Sequence, residues 1–152
     1  YLADANLADA YLARANLAGA YLADAYLAGA YLADAYLADA YLADANLADA
    51  YLARANLADA NLARAKWKGI TLMRAPLQLH GLHWPVYILD QHMQIGCELH
   101  SLAEWREFDD ARIVRMDGKH ALRFWRAHKD DLLALAASDG RGVEAPAEKE
   151  AA

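Results

Sequence analysis

The side chains best suited to chemistry lie close together in the second half of this chain. Residues 80–100 hold four histidines and the single cysteine, in the segments HGLH and HMQIGCELH. Histidine nitrogens and cysteine thiolates are ligands that zinc prefers, and a cysteine activated by a histidine can act as a nucleophile. The sequence therefore raises two chemistries, a metal site and a cysteine-dependent site.

The spacing of these residues favours neither chemistry. It matches no standard zinc finger, and strand alternation sends Cys97 to the face opposite His92 and His100. The apolar neighbours of Cys97 favour a buried structural thiol. The sequence also contains no glycine-rich phosphate loop, serine elbow or paired-carboxylate motif. We therefore expect no enzyme, no metal and no cofactor, and keep a metal-binding or cysteine-dependent C-terminal module as a remote alternative.

The first half of the chain consists of a five-residue repeat, on which the histidines and the cysteine of the second half must be positioned. Leucine stands at position 2 and at every fifth position to 62, preceded by Asn or Tyr and followed by Ala and then Asp, Arg or Gly. This period fits neither a helix nor a flat strand. On a helix, leucines five residues apart would spiral around every side and bury no common face. A solenoid side of five residues would instead point every leucine inward.

The phrase Ala-(Asn/Tyr)-Leu-Ala-(Asp/Arg/Gly) resembles the repeat of the pentapeptide-repeat family throughout residues 1–65. The resemblance implies a mainly β fold, a right-handed quadrilateral β-helix in which four quintets form one coil. It also implies that the central leucine, and the alanine two residues before it, point inward. Four degenerate quintets over residues 65–84 predict a last coil, whose larger side chains Trp67, Ile70 and Met73 would cover the end of the core. The β-helix is therefore expected to span residues 1–84.

A second unit is predicted over residues 85–137. The segments VYIL and HMQIGCEL flank Asp90-Gln91 as a β-hairpin, with Cys97 on the same alternating face as the apolar residues of the second segment. The sequence SLAE, which begins at Ser101, is a capping-box pattern that opens a helix. Two further helical stretches are expected on either side of Asp117-Gly118. This hairpin and these helices form the expected C-terminal cap.

Two further expectations concern this unit and the residues that follow it. The segments WPVYILDQHMQIGCELHSLAEW and ALRFWRAHK, within residues 84–134, resemble a C-terminal module of phage and prophage proteins of unknown function, which implies no activity. Residues 138–152 contain too few apolar side chains to pack and are expected to form a disordered tail.

Charge, cysteine content and the length of apolar runs limit the cellular compartment and the classes of partner that we expect. The chain has 15 Lys and Arg against 21 Asp and Glu, a formal net charge of −6. This balance argues against direct binding of nucleic acid. A single cysteine permits no disulfide within the chain and fits a cytoplasmic location. No apolar run approaches the roughly 18 residues that span a bilayer, so we expect no membrane partner.

Four quintets per coil place residues twenty apart in columns on the outer surface. Tyr1, Tyr21 and Tyr41 form one predicted ladder of stacked rings, and a second ladder follows ten residues later. We expect a non-catalytic scaffold that binds an unidentified protein partner through exposed aromatic and acidic columns. The candidate interaction surface consists of Tyr11, Tyr31, Tyr51, Asp4, Asp24 and Asp44.

The acidic columns also raise an alternative. The repeat holds eight Asp against three Arg, and only the column of Arg14, Asp34 and Arg54 alternates in sign. Some pentapeptide-repeat proteins that inhibit DNA gyrase, a type II topoisomerase, imitate duplex DNA, so the resemblance implies a DNA mimic as the second candidate function. Length argues against it, since just over four coils extend about 20 Å whereas one duplex turn rises about 34 Å.

The C-terminal module is the expected oligomer contact. Gyrase-inhibiting members of the family pair through their C-terminal ends, and by that analogy we expect a homodimer. The helices of this chain carry more large apolar side chains than a short cap needs. The candidate dimer surface consists of Trp105, Phe108, Leu122, Trp125 and Leu132.

Overall fold

The structure, a computed structural model, describes residues 1–142. Its first part is a stack of coils in which a residue pairs with the one twenty positions further along the chain. Parallel bridges join Tyr11 to Tyr31, and the same spacing continues to the bridge between Asn46 and Lys66. This is the four-quintet coil that a β-helix of five-residue repeats requires. The right-handed sense of the coil stays a prediction.

Each quintet contributes one bridging residue and one turn. Tyr31 donates its N–H to Ala10 O at 2.9 Å and accepts the N–H of Leu12 at 2.8 Å. Three residues later, Ala15 N–H closes the turn on Leu12 O at 3.0 Å. Because the turn occupies the rest of the quintet, the pairing stays one residue long on each side of the coil.

The turn explains which residues end each quintet. That position has a positive φ, for example 57° at Asp24, 68° at Gly29 and 56° at Arg54. Glycine adopts this left-handed region freely, and aspartate tolerates it better than most residues. Arginine has no such preference, so its presence at three of these corners calls for a compensating interaction.

The inward residues are those that the resemblance implied. Leu22 and Ala25 are fully buried, and burial continues along the leucines and inward alanines to Ala65. The first coil is more open, with Leu2 37% exposed. The core of the repeat is therefore a column of leucine and alanine built one coil at a time.

The predicted last coil over residues 65–84 is not what the structure shows. After Lys66 the chain forms an antiparallel pair, β1 (Lys66–Trp67) and β2 (Ile70–Thr71). The next strand, β3 (Leu77–Leu79), joins a separate antiparallel sheet. The regular stack thus ends about one coil earlier than the hydrophobic pattern predicted.

The chain turns back on itself at β1 and β2, and Pro76 prevents the regular pairing from resuming above Asn56. In the regular array, Asn56 N–H donates to Ala35 O and Leu37 N–H donates to Asn56 O. One coil later the corresponding residue is Pro76, which has no N–H to donate.

The side chain of Gln78 replaces this missing peptide group. Its Nε2 donates to Ala55 O at 2.8 Å, and its Oε1 accepts the N–H of Leu57 at 2.8 Å.

The separate sheet lies between the coil end and the helices. Its strands, in the order β3-β4-β5-β6, include β4 (Val86–Ile88), β5 (His92–Ile95) and β6 (Glu98–Ser101). Strand β4 belongs to two cores, because Tyr87 packs with the repeat while Val86 and Ile88 pack with the helices. The hairpin predicted around Asp90-Gln91 is present as the β4–β5 pair.

The second predicted strand is interrupted. A turn at Gly96 and Cys97 separates β5 from β6, which pair antiparallel with Ile95 opposite Glu98. Gly96 has a φ of 58°, and a glycine inside an alternating run is a turn signal that the alternation outweighed. The prediction of a buried Cys97 is therefore wrong, since the turn leaves its side chain exposed.

Two helices follow the sheet. Helix α1 (Leu102–Glu107) begins with the predicted capping box, in which Ser101 and Glu104 exchange hydrogen bonds. Helix α2 (Asp110–Ser138) is broken at Asp117 and Gly118, as predicted from the sequence.

The tail predicted for residues 138–152 begins with packed residues. Arg141 is 3% exposed and donates to Ala75 O, and Gly142 N–H donates to Asp90 O. The remainder of the predicted tail, 143–152, lies outside the described residues.

Candidate functional site

The tyrosine columns are ladders of stacked rings. The centroids of Tyr11 and Tyr31 are 4.5 Å apart, and those of Tyr31 and Tyr51 are 5.3 Å apart, with the planes within 10° of parallel in both pairs. Tyr11 is 82% exposed and Tyr51 62% exposed. The coil spacing thus arranges the predicted residues into an open aromatic strip. The ladder of Tyr1, Tyr21 and Tyr41 is stacked in the same way.

Stacking is confined to columns in which tyrosine follows tyrosine. Tyr26 and Tyr36 are also exposed, but each pairs with asparagine in both neighbouring coils. These two tyrosines present isolated rings on the same backbone. They are matched controls for the ladder.

The aspartates occupy the turn corners, and ion pairs interrupt two of their columns. Arg54 donates from Nε and Nη2 to Asp34 at 2.8 and 2.9 Å, as the alternating column predicted. Arg64 makes the same two-pronged contact with Asp44, at 2.8 and 2.5 Å. The prediction treated Asp44 as part of an all-acidic column and missed Arg64, although the twenty-residue spacing places Arg64 next in it.

These contacts change the electrostatics of the corners. The hydrogen bond from Arg54 lowers the pKa of Asp34, and that from Arg64 lowers the pKa of Asp44. Both carboxylates thus stay ionised but are neutralised by a guanidinium one coil away. Asp4 and Asp24 remain as neighbouring like charges, but their corner lies between the columns of Tyr1 and Asn6 and does not border the strip of Tyr11, Tyr31 and Tyr51.

The predicted dimer residues lie largely inside the protomer. Trp105 is 2% exposed, Trp125 4% and Leu132 2%, because the sheet and the helices enclose them in the second core. Phe108 and Leu122 are half-buried against the same core. Amphipathic spacing on the helices identified core residues, and these side chains do not form a free apolar face. Dimerisation itself stays a prediction.

The histidine and cysteine residues are dispersed by the fold. Within residues 1–142, no group of three or more His, Cys, Asp and Glu side chains is arranged to hold a metal ion. His100 Nε2 lies 2.9 Å from Glu98 Oε2. His92 is half-buried, which lowers its pKa, and its Nδ1 is buried without a partner. Cys97 is at the exposed tip of the β5–β6 turn.

A pocket that the sequence did not predict lies between the β5–β6 turn and the break in α2. Its volume is about 330 Å³, within the lower part of the range for small-molecule sites. Its walls are apolar, with four aromatic and four aliphatic or methionine side chains, and its rim carries one thiol and two carboxylates. The aromatic residues of the walls are Trp84, Trp105, Phe124 and Trp125, and the rim residues are Cys97, Glu98 and Asp117.

Two local signals mark this pocket in retrospect. Gly96 allows the tight turn that brings Cys97 and Glu98 to one side of it. Asp117 and Gly118 break the helix on the other side. Each break was visible in the sequence or in its spacing, but only the tertiary fold places the two breaks opposite each other.

None of the helices in the described part of the chain is both long enough and apolar enough to cross a membrane.

Comparison with known proteins agrees with the coil geometry. A family model described as pentapeptide repeats matches residues 1–35 and 30–66, with eight copies of the repeat. The match ends where the parallel bridges end, at Lys66. No curated protein matches the chain.

Proposed function

Because residues 1–66 are pentapeptide repeats, we propose that this chain is a non-catalytic scaffold that binds a protein partner on the outer surface of its coils. The observation that carries the proposal is the ladder of Tyr11, Tyr31 and Tyr51, an exposed aromatic strip on a regular backbone. The right-handed quadrilateral β-helix implied by the resemblance is the form in which we expect the strip to be presented.

The chemistry of the strip suits protein recognition. Tyrosine supplies a large contact area with few rotatable bonds, and it is enriched among residues that dominate binding energy. Each ring is already held by its neighbours 4.5 to 5.3 Å away, so little side-chain freedom remains to be lost on binding. The corner that precedes the strip carries Asp9 and Asp49, which favours a partner with basic side chains on that side of an apolar centre.

The test compares proteins captured from a bacterial lysate by the immobilised chain and by its variants. Replacing Tyr11, Tyr31 and Tyr51 with serine should abolish capture of the specific partner. The control replaces Tyr26 and Tyr36 with serine, which removes exposed rings outside the ladders and should leave capture intact. Equal capture by wild type and by the ladder variant would exclude the strip as the binding surface.

The DNA mimic remains the second candidate because uncompensated carboxylates do recur one coil apart. Asp4 lies in the column of Asp24, and Asp39 in the column of Asp59. The ion pairs at Asp34 and Asp44 weaken this resemblance to a phosphate backbone.

A gyrase supercoiling reaction separates the two candidates. A mimic should inhibit the reaction, and changing the four uncompensated aspartates that recur one coil apart to asparagine should relieve inhibition, because asparagine also tolerates a positive φ. Inhibition that is insensitive to these changes, or no inhibition, would remove the mimic. The four residues are Asp4, Asp24, Asp39 and Asp59.

A further inference from the structure

We propose that the pocket between the β5–β6 turn and the break in α2 binds a small organic cation with an aromatic or alkyl body. The site lies in the C-terminal module and does not depend on the function proposed for the repeats. Two features of the pocket support it: the composition of its walls and the charge of its rim.

The walls are built from rings that fix one another. Trp84 meets Phe124 edge to face with centroids 5.2 Å apart, and Trp105 meets Trp125 at 4.9 Å. Aromatic faces carry negative electrostatic potential, so a cavity bounded by several of them attracts a cation and also accepts its apolar body.

Rings of this cluster already attract cations outside the pocket. Arg112 lies over Phe108 at 5.1 Å, and Lys129 Nζ lies 5.7 Å from the centroid of Trp125. Neither cation lines the pocket.

The rim supplies negative charge. Glu98 has one oxygen engaged by His100, and its second oxygen is not used in that contact. Asp117 is exposed at the helix break and, within the described part of the chain, has no ion-pair partner. The two carboxylates therefore favour a positively charged ligand over a neutral or anionic one.

The experiment compares two probes of equal shape on the full chain. Benzyltrimethylammonium carries the charge, and neopentylbenzene replaces its nitrogen with carbon. Binding is followed by the NMR signals of the tryptophan indole N–H groups and by protection of Cys97, which lines the pocket, from alkylation. We expect the cation to bind about tenfold more tightly than its neutral counterpart.

Three variants identify the site. Replacing Glu98 with Gln and Asp117 with Asn together keeps the shape of the rim and should reduce the preference for the cation to less than about threefold. Ala121→Leu adds bulk to a residue that lines the pocket and should abolish binding of both probes. Asp131→Asn removes an exposed carboxylate outside the pocket and should change nothing. A thermal melt of each variant confirms folding.

Two results would overturn the proposal. Equal affinity for the two probes would identify an apolar pocket without charge selectivity. Absence of binding in the wild type, with indole signals and alkylation rate unchanged at saturating probe, would remove the site altogether.

Discussion

At the scale of single residues, Gln78 shows how a side chain can end a repeat. Its amide group presents one donor and one acceptor, as a peptide group does, and these meet Ala55 O and Leu57 N–H. The residue that would supply the peptide, Pro76, cannot donate. The coil stack therefore ends without leaving this pair of backbone groups unpaired.

Gln78→Leu tests this role. The change leaves Leu57 N–H and Ala55 O without partners, and each unpaired group should cost about 1–3 kcal/mol of unfolding free energy. Urea denaturation measures the loss. Gln78→Glu is the matched variant, because it keeps the acceptor for Leu57 but not the donor for Ala55 and should lie between wild type and leucine. A loss in the leucine variant no larger than that of an ordinary surface change would contradict the role.

Tyr87 gives the fold a dependence on alkaline pH. Its hydroxyl donates to Leu52 O at 2.5 Å, and burial raises its pKa to about 12. Because this pKa is higher in the folded than in the unfolded chain, its contribution to stability is complete below pH of about 10 and is lost as pH rises through 12. Tyr87→Phe should therefore weaken the fall in unfolding free energy between these pH values. Tyr26→Phe, which removes an exposed hydroxyl, is the control, and identical pH profiles for wild type and Tyr87→Phe would exclude the effect.

At the scale of elements, the tyrosine ladder contributes stability as well as a surface. Tyr31 stacks on two rings, whereas Tyr26 stacks on none. Tyr31→Ser should therefore destabilise the fold more than Tyr26→Ser, by about 0.5–1.5 kcal/mol for each ring pair lost. Denaturation midpoints of the two variants give the difference directly. Equal losses would mean that the stacked rings add nothing beyond their own burial.

The break in α2 depends on a glycine. Gly118 has a φ of 60° and a ψ of −150°, a region that only glycine occupies without strain. Gly118→Ala should cost about 1–3 kcal/mol, although a Cβ there would meet no neighbouring atom. Ala127→Gly, at an exposed position of the same helix, is the reference for an ordinary helix change, at about 1 kcal/mol. A stable, straightened helix in the alanine variant would show that the strain is not retained.

The elements also show which parts of the structure could be predicted from sequence. Because the repeat has a strict period, residues that contact each other in neighbouring coils are twenty positions apart. The ladder of Tyr11, Tyr31 and Tyr51 and the pair of Asp34 with Arg54 could therefore be predicted from the sequence. The end of the stack could not, because the chain turns back at β1 and β2 and the side chain of Gln78 supplies the donor that Pro76 lacks. The pocket could not either, since it depends on two local breaks that meet only in the tertiary fold. The spacing of apolar residues in the helices indicated which side chains are buried, but it did not indicate that the sheet covers them.

At the scale of the whole molecule, β4 couples the two halves. Tyr87 and Leu89 belong to the core of the repeat, while Val86 and Ile88 belong to the core under the helices. One strand that serves both cores should make their unfolding cooperative, since neither core can open without exposing the other.

This coupling predicts a single transition. Far-UV circular dichroism reports the whole backbone, and tryptophan fluorescence reports mainly the C-terminal core, which contains three of the four tryptophans, while Trp67 lies in the core of the repeat. Leu32→Asp buries a charge within the repeat, far along the chain from any tryptophan, and should lower both midpoints by the same amount. Ala33→Asp, at an outward position of the same turn, should move neither by much. Two separated transitions in the wild type would show that the halves unfold independently.

The twenty-residue coil has a consequence for how such a gene can change. Recombination between misaligned copies of a repeat adds or removes whole quintets, and any quintet can follow any other because leucine then still lies over leucine. Exchange of one full coil's length of gene would leave every outer column on its own face, whereas exchange of a single quintet would move the columns beyond it to the adjacent face. The buried leucines and alanines therefore tolerate both events. The outward residues, which include the tyrosines and aspartates, keep their faces after the first event and change face after the second. Selection for binding a partner would therefore favour insertions and deletions whose length is a whole number of coils.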